Sequence, residues 1–326
     1  MELPIIITAS TLASILAAYI VLKCKCALVP DVHKPNRPLI PKLGGLVVLA
    51  YVVVSLILLS INGGLLNSTY NVIFYTTPIV LGVIGIVDDF THVHEFLRVG
   101  ASVLYPLILL LAMGGKLDYL NFPIIGHFSN PVVIIILTIA VYGIFSNAIN
   151  MMDVVNGIVP YSMILASIIP LAYSIMTNNI TLLEMTLTLL VPSIILFTLN
   201  KYPAKLFNGN GGTYSIGALV AGLMLYSSLG TLILLVVVPY VINGLLIVVS
   251  SRGIKSREKL KPSTFMKDLI IYPNLDKGST LTLMKMIVID EPGDERKVIR
   301  GFYTVFNVTT ALTIILFIIL YVIGWV

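Results

Sequence analysis

The chain has 326 residues, 58% of them hydrophobic and only 11% charged, with a formal net charge of +5 and a mean hydropathy of +1.02. So little charge cannot clothe a water-soluble domain of this size, which excludes a soluble core-and-surface fold and points to an integral membrane protein. The apolar stretches are continuous and approach the roughly 20 residues a helix needs to cross a bilayer. Transmembrane β-strands would need short alternating segments instead.

In chain order the apolar runs occupy 3–22, 43–61, 72–87, 97–114, 131–149, 158–177, 182–199, 213–228, 229–250 and 303–326. They predict an all-α polytopic membrane protein with ten transmembrane helices, one integral membrane domain over 1–326, and a loop of about fifty residues, 251–302, between the last two spans. The first run has no basic stretch ahead of it and no small-residue cleavage site before Lys23, so it reads as a retained helix. Cys24 and Cys26, at its end, read as free thiols on a reducing side. In the long loop, Leu269–Tyr272 reads as a short strand, 281–289 as a strand or an interfacial helix, and Asp290–Arg296 as a turn before the last span. The spans hold almost no ionisable residue, and their prolines, such as Pro78 and Pro170, read as kinks.

Of the twenty Lys and Arg residues, all but Lys116 fall in or beside alternate loops on one side. By the positive-inside rule that side is cytoplasmic and both termini lie outside, in a cell membrane. The surplus charge also suits an anionic lipid surface.

The same loops hold the groups able to do chemistry. Asp88 and Asp89 stand where the third run ends; neighbouring helical side chains diverge by about 100°, so the two are expected to differ in role. Alone, such a pair also serves to mark a helix end. Asn147, Asn150 and Asp153 recur every third residue, with Asn156-Gly157 following, which sets three of them near one face of a continuing helix. Polar groups packed this densely between two apolar runs are costly unless they bind something. Tyr202 to Thr213, with Gly209, Asn210, Gly211 and Gly212, is either a flexible hairpin or a backbone cradle whose N–H groups attract phosphate. Basic segments at Asp31–Arg37, at Lys42 and at Arg257–Lys261 complete an inventory suited to a diphosphate.

With Asp31-x-x-Lys34, Gly85-x-x-Asp88-Asp89, Asn147-x-x-Asn150-x-x-Asp153-x-x-Asn156-Gly157 and Tyr202-Pro203-Ala204-x-x-Phe207-x-Gly209, the chain resembles the polyprenyl-phosphate N-acetylhexosamine-1-phosphate transferase family, most closely its archaeal and eukaryotic dolichyl-phosphate branch. The resemblance implies UDP-GlcNAc and dolichyl or another polyprenyl phosphate as substrates, a membrane-lipid setting, Mg²⁺ (with Mn²⁺ as an alternative) as cofactor, no nucleic acid, and a homodimer as one possible assembly. It implies Asp88 and Asp89 as catalytic residues and Asn150 and Asn210 as metal ligands. Lys34, Arg98, Asn147, Asp153, Asn156, Gly209, Arg257 and Lys259 fall to substrate binding, with Asn156 near the uridine and Arg98 near the diphosphate. Two departures stand out: Glu258 lies between Arg257 and Lys259 where the family pattern is basic, and Asn210 stands where the pattern has an acidic metal ligand.

The activity so implied is transfer of N-acetylglucosamine-1-phosphate from UDP-GlcNAc to the lipid phosphate with release of UMP, the first membrane step of protein N-glycosylation. The alternatives are a related transferase using another UDP-N-acetylhexosamine and a membrane transporter or lipid flippase.

Overall fold

The computed structural model describes residues 3–63, 68–91, 93–114, 119–253 and 260–326. It contains helices α1 (Leu3–Cys24), α2 (Gly45–Ile61), α3 (Thr69–Thr91), α4 (Glu95–Ala112), α5 (Pro131–Met151), α6 (Ile158–Met176), α7 (Ile180–Asn200), α8 (Gly209–Tyr226), α9 (Gly230–Ser251), α10 (Leu283–Ile287) and α11 (Glu295–Val322). Three antiparallel hairpins join them: β1 (Leu28–Pro30) with β2 (Leu39–Pro41), β3 (Leu120–Phe122) with β4 (Gly126–Phe128), and β5 (Thr264–Lys267) with β6 (Ile270–Pro273).

Eight helices among the described residues, α1, α3, α4, α5, α6, α7, α9 and α11, are long and apolar enough to cross a membrane. The remaining two expected spans differ in kind. Helix α2 is apolar but has only 17 residues. Helix α8 opens on a polar, glycine-rich turn and is buried without a break from Gly211 to Leu225, so other helices surround it. Helix α11 begins eight residues before the expected 303, because Asp294 caps it by accepting the Lys297 N–H at 3.0 Å. The end of the expected acidic turn is therefore its first helical turn. The long loop holds both a hairpin and a helix. Asp268 and Leu269 turn the β5–β6 hairpin with φ of 50° and 63°, the left-handed pair a two-residue loop requires, and 283–287 is helical. Cys24 and Cys26, expected as free thiols, are joined in a disulfide.

Helix α8 is the axis against which α2, α3 and α5 pack, and small residues let the backbones approach closely, as in membrane helix pairs generally. A Cβ on Gly85 of α3 would lie 2.5 Å from the Asn210 carbonyl oxygen, and one on Gly45 of α2 would lie 2.6 Å from the Gly211 carbonyl carbon. These approaches press the start of α8 onto the ends of α2 and α3, where the acids lie. Gly85→Ala should therefore destabilise the folded chain by about 1–3 kcal/mol through overpacking. Gly100→Ala on α4, where nothing lies within 4 Å of the added carbon, should be neutral or mildly stabilising. Thermal unfolding in detergent reads both, and equal behaviour of the two variants would contradict this packing.

Candidate active site

Helix α8 exposes its first N–H groups at its start, and its own N-cap residue, Asn208, offers no side-chain bond to them. Asp89 from α3 takes that place. Its Oδ1 accepts the Asn210 N–H at 3.0 Å, its Oδ2 accepts the Gly211 N–H at 3.3 Å, and the Lys42 ammonium stands 3.0 Å from Oδ1. The Asp89 side chain is 1% exposed. Gly209 bends the chain into this contact at φ 66°, and a Cβ there would lie 2.5 Å from the Asp89 carboxylate and 2.4 Å from the Lys42 carbonyl oxygen. Only glycine fits a position both left-handed and this crowded.

Asp88, one residue earlier, faces elsewhere, as its helical spacing demands. Its Oδ2 accepts from the Arg98 guanidinium at 2.6 Å and from the Asn210 side-chain amide at 2.6 Å, while Oδ1 accepts the Val93 N–H at 2.7 Å. The amide at position 210 has a physical reason here: a carboxylate would put two like charges in contact, whereas NH₂ donates. Arg98 keeps further donors, and its Nε is buried with no hydrogen-bond partner among the described residues.

From Asn210 the polar chain continues through Thr213, whose hydroxyl lies 3.2 Å from the Asn210 carbonyl and 2.8 Å from Asn150 Oδ1. Asn150 also donates to the Tyr214 hydroxyl at 3.4 Å. Asp153 Oδ1 accepts from Asn208 at 3.0 Å, and Asn208 also reaches Asn200 Oδ1 at 3.2 Å. Burial pushes the Asp153 carboxyl up to about 7; the Asn208 bond pulls the other way and the charge on Asp89 adds to the rise. Asn147 faces away from this group, donating to the Ser102 hydroxyl at 3.1 Å and the Gly143 carbonyl at 2.7 Å.

A second buried cluster lies beside the first. Lys34 pairs with Glu295 and, at 3.2 Å, with Asp31, and its ammonium lies 4.0 Å from the centroid of the Tyr202 ring. Asn156 donates its backbone N–H to Glu295 at 3.2 Å and its side-chain amide to Asp31 at 3.3 Å. Carboxylate and imidazole atoms of Asp31, His33 and Glu295 lie within 4.8 Å of one another, a spacing a metal ion would tolerate. Lys34 already supplies a positive charge to both carboxylates, and we read the cluster as an ion-pair junction joining three inter-helix segments to the first turn of α11.

Of the sequence-expected residues, Asp88, Asp89, Arg98, Asn150, Gly209 and Asn210 come together in one connected group, Asp153 is held by Asn208 next to Gly209, and Lys34 and Asn156 lie in the second cluster. Arg257 and Lys259 lie outside the described residues. Lys42, Thr213, Asn208 and Glu295 were not singled out as site residues. Lys42 and Thr213 flank the motifs and offered a weak signal; Glu295 sat in an acidic stretch that read as a turn.

The family model of glycosyl transferase family 4 matches residues 71–228, from α3 through α8, a range that holds both aspartates, Arg98, the Asn motif and Asn210. A provisionally named glycosyltransferase of Methanocaldococcus jannaschii is 32% identical over 266 residues, 80% of this chain and 78% of that protein. The chain belongs to glycosyl transferase family 4. Membership makes it a transferase enzyme rather than the transporter weighed above, and a multi-pass membrane protein. Its relatives include a provisionally named UDP-N-acetylglucosamine–dolichyl-phosphate N-acetylglucosaminephosphotransferase of Saccharolobus solfataricus, 30% identical over 226 residues, 66% of this chain and 67% of that one. A phospho-N-acetylmuramoyl-pentapeptide-transferase of Streptococcus pneumoniae is 29% identical over 192 residues, 56% of this chain and 58% of the relative.

Two outcomes follow for this glycosyl transferase family 4 site. Unfolded Asp153 releases its proton near pH 4 and the folded residue near 7, so unfolding expels a proton between those values and wild-type stability falls as pH rises through that window. Asp153→Asn lacks this loss, and its melting temperature relative to wild type should climb from pH 4 to 7 and then level off; a pH-independent difference would contradict the assignment. Lys34→Met leaves Glu295 and Asp31 buried without their counter-charge and should destabilise the chain by about 3–5 kcal/mol, read by chemical or thermal unfolding, whereas a change under about 1 kcal/mol would contradict the junction.

Proposed function

We propose that the enzyme transfers N-acetylglucosamine-1-phosphate from UDP-GlcNAc to dolichyl or another polyprenyl phosphate at the cytoplasmic face of the membrane, with both termini outside. An oxygen of the lipid phosphate bonds to the β-phosphorus, the bond from that phosphorus to the bridging oxygen breaks, and UMP leaves with the electron pair. The observation that carries this reading is the seating of Asp88 and Asp89 on the start of α8, with Asn210 bound to both. The name of the Saccharolobus solfataricus relative supports the sugar and the lipid.

The residues divide the work by charge. Asp89, saturated by Lys42 and two backbone amides, fixes the approach of α3 to α8 and is a positioning group. Asp88 carries the Arg98 guanidinium, whose Nε, without a hydrogen-bond partner among the described residues, suits a phosphate oxygen. Asp88, Asn150 and Asn210 offer carboxylate and amide oxygens, the donor set that fits Mg²⁺ or Mn²⁺. Such an ion, when bound, neutralises phosphate charge and helps hold the diphosphate. Phosphoryl transfer asks mainly for alignment and charge neutralisation. The lipid phosphate, with a second pKa near 6 by analogy with phosphorylated side chains, is already largely dianionic at neutral pH. A general base is then dispensable, and Asp88 serves by orienting Arg98 and the diphosphate. Arg257, Lys259 and Asn156 complete the proposal on the sugar and uridine side.

Purified protein given radiolabelled UDP-GlcNAc, dolichyl phosphate and Mg²⁺ should produce organic-extractable label. Asp88→Asn should lower the rate by about 100-fold or more, the scale of losing one preorganised charge contact. Asn210→Asp, which sets two carboxylates together, should shift half-maximal Mg²⁺ to lower concentration. Unchanged turnover in Asp88→Asn would remove the acids from the mechanism, and label only from UDP-N-acetylmuramoyl-pentapeptide would reassign the sugar.

A further inference from the structure

At the corner where α1 ends, the backbone takes left-handed φ at two non-glycine residues, Lys25 (51°) and Ala27 (49°), before β1 begins. Such strain persists only where surrounding structure imposes it, and it gathers at functional places. Here it folds the β1–β2 hairpin back toward α1, tied by the Lys42 N–H to the Ala27 carbonyl at 3.0 Å. Leu28 pairs with Pro41 across the hairpin, and Leu39, two residues from Pro41, shares its face. These three, with Leu22 of α1, wall a cavity of about 370 Å³ whose remaining lining residues are Lys25 and Lys205, the latter from the α7–α8 connection. The volume lies within the roughly 300–1,000 Å³ of small-ligand sites.

Two features say what fits. Leu39 is 62% exposed and Leu28 37%, apolar surface beside cations at the basic end of the bundle. Lys34, Lys42 and Arg98 are each paired with a carboxylate, whereas neither Lys25 nor Lys205 has an ion pair among the described residues. A floor of leucine and proline under two uncompensated ammonium groups is complementary to an anion attached to a hydrocarbon chain.

We propose that this cavity holds the phosphate headgroup of an anionic membrane phospholipid, bridged between Lys25 and Lys205, with the first carbons of its chains on Leu22, Leu28, Leu39 and Pro41. The occupant is a resident lipid and not the reacting one, because Asp88, Asp89, Asn150 and Asn210 are absent from the cavity wall. Its effect on the reaction centre is indirect: β2 runs from Pro41 straight into Lys42, and Lys205 lies two residues before Phe207, whose N–H donates to the Pro41 carbonyl at 2.8 Å. A lipid joining Lys25 to Lys205 therefore braces the segment that carries the Asp89 counter-ion. The inference stands apart from the choice of sugar and acceptor above.

Native mass spectrometry of the full chain in detergent, titrated separately with dioleoylphosphatidylglycerol, dioleoylphosphatidylcholine and a polyprenyl phosphate, tests it. Wild type should hold one phosphatidylglycerol at least about fivefold more tightly than phosphatidylcholine, the order expected for lysines at an anionic lipid surface. K25Q/K205Q should lose that preference and K25R/K205R keep it. Leu39→Ser, with both lysines intact, should weaken phosphatidylglycerol binding, which separates the apolar wall from bare charge. Equal binding of the two phospholipids, a preference that survives K25Q/K205Q, full displacement by millimolar inorganic phosphate, or occupancy by the polyprenyl phosphate alone would each overturn the proposal. Sugar-phosphate transfer assayed on the same preparations keeps a failure here distinct from a failure of the proposed reaction.

Discussion

The carboxylate of Asp89 caps a helix to which it does not belong. The start of α8 directs backbone N–H groups and the positive end of its dipole at one spot, and α3 places a buried acid there, with Lys42 as its counter-ion. Burying that charge is tolerable only because it is fully paired. Much of the neighbourhood follows from it. The glycines at 45, 85, 209 and 211 let the backbones come close enough for the contact. Once Asp89 is seated, helical geometry turns Asp88 toward Arg98 and the side chain of Asn210.

The junction of Lys34 with Asp31 and Glu295 does comparable work between loops. It draws together the α1–α2 connection, the turn after α5 at Asn156, the segment after α7 at Tyr202, and the first turn of α11. An ion pair of this kind is a poor source of net stability and a good source of register, because each partner left alone is expensive. Here it fixes which loops face one another beside the carboxylate centre.

The division into apolar runs and basic loops was legible in composition and hydropathy alone, and the three polar constellations proved to be neighbours. Hydropathy did not distinguish α8 from the lipid-facing helices, since a helix wrapped by protein and one wrapped by lipid are both apolar along most of their length. Lys42 reads only as one of several cations in the basic loops, because one such lysine resembles the next until its partner, Asp89, is seen. Glu295 was hidden for a related reason: an acid among acids and bases reads as solvated, and only the fold across some 260 residues of chain brings it to Lys34. The role of Asn210 was open in the same way. An amide in place of an acid reads as a weaker metal ligand, and the fold adds that its NH₂ donates to the adjacent Asp88 oxygen.

In the proposed reaction the nucleotide's diphosphate binds at the head of α8, beside Asp88, Asn150 and Asn210. A cryo-electron microscopy map of the protein in nanodiscs with UDP-GlcNAc and Mn²⁺ addresses it directly. Ion and diphosphate density is expected in contact with these three residues and with Arg98. Density centred on the Lys34–Glu295 junction, with the Asp88 group empty, would contradict it.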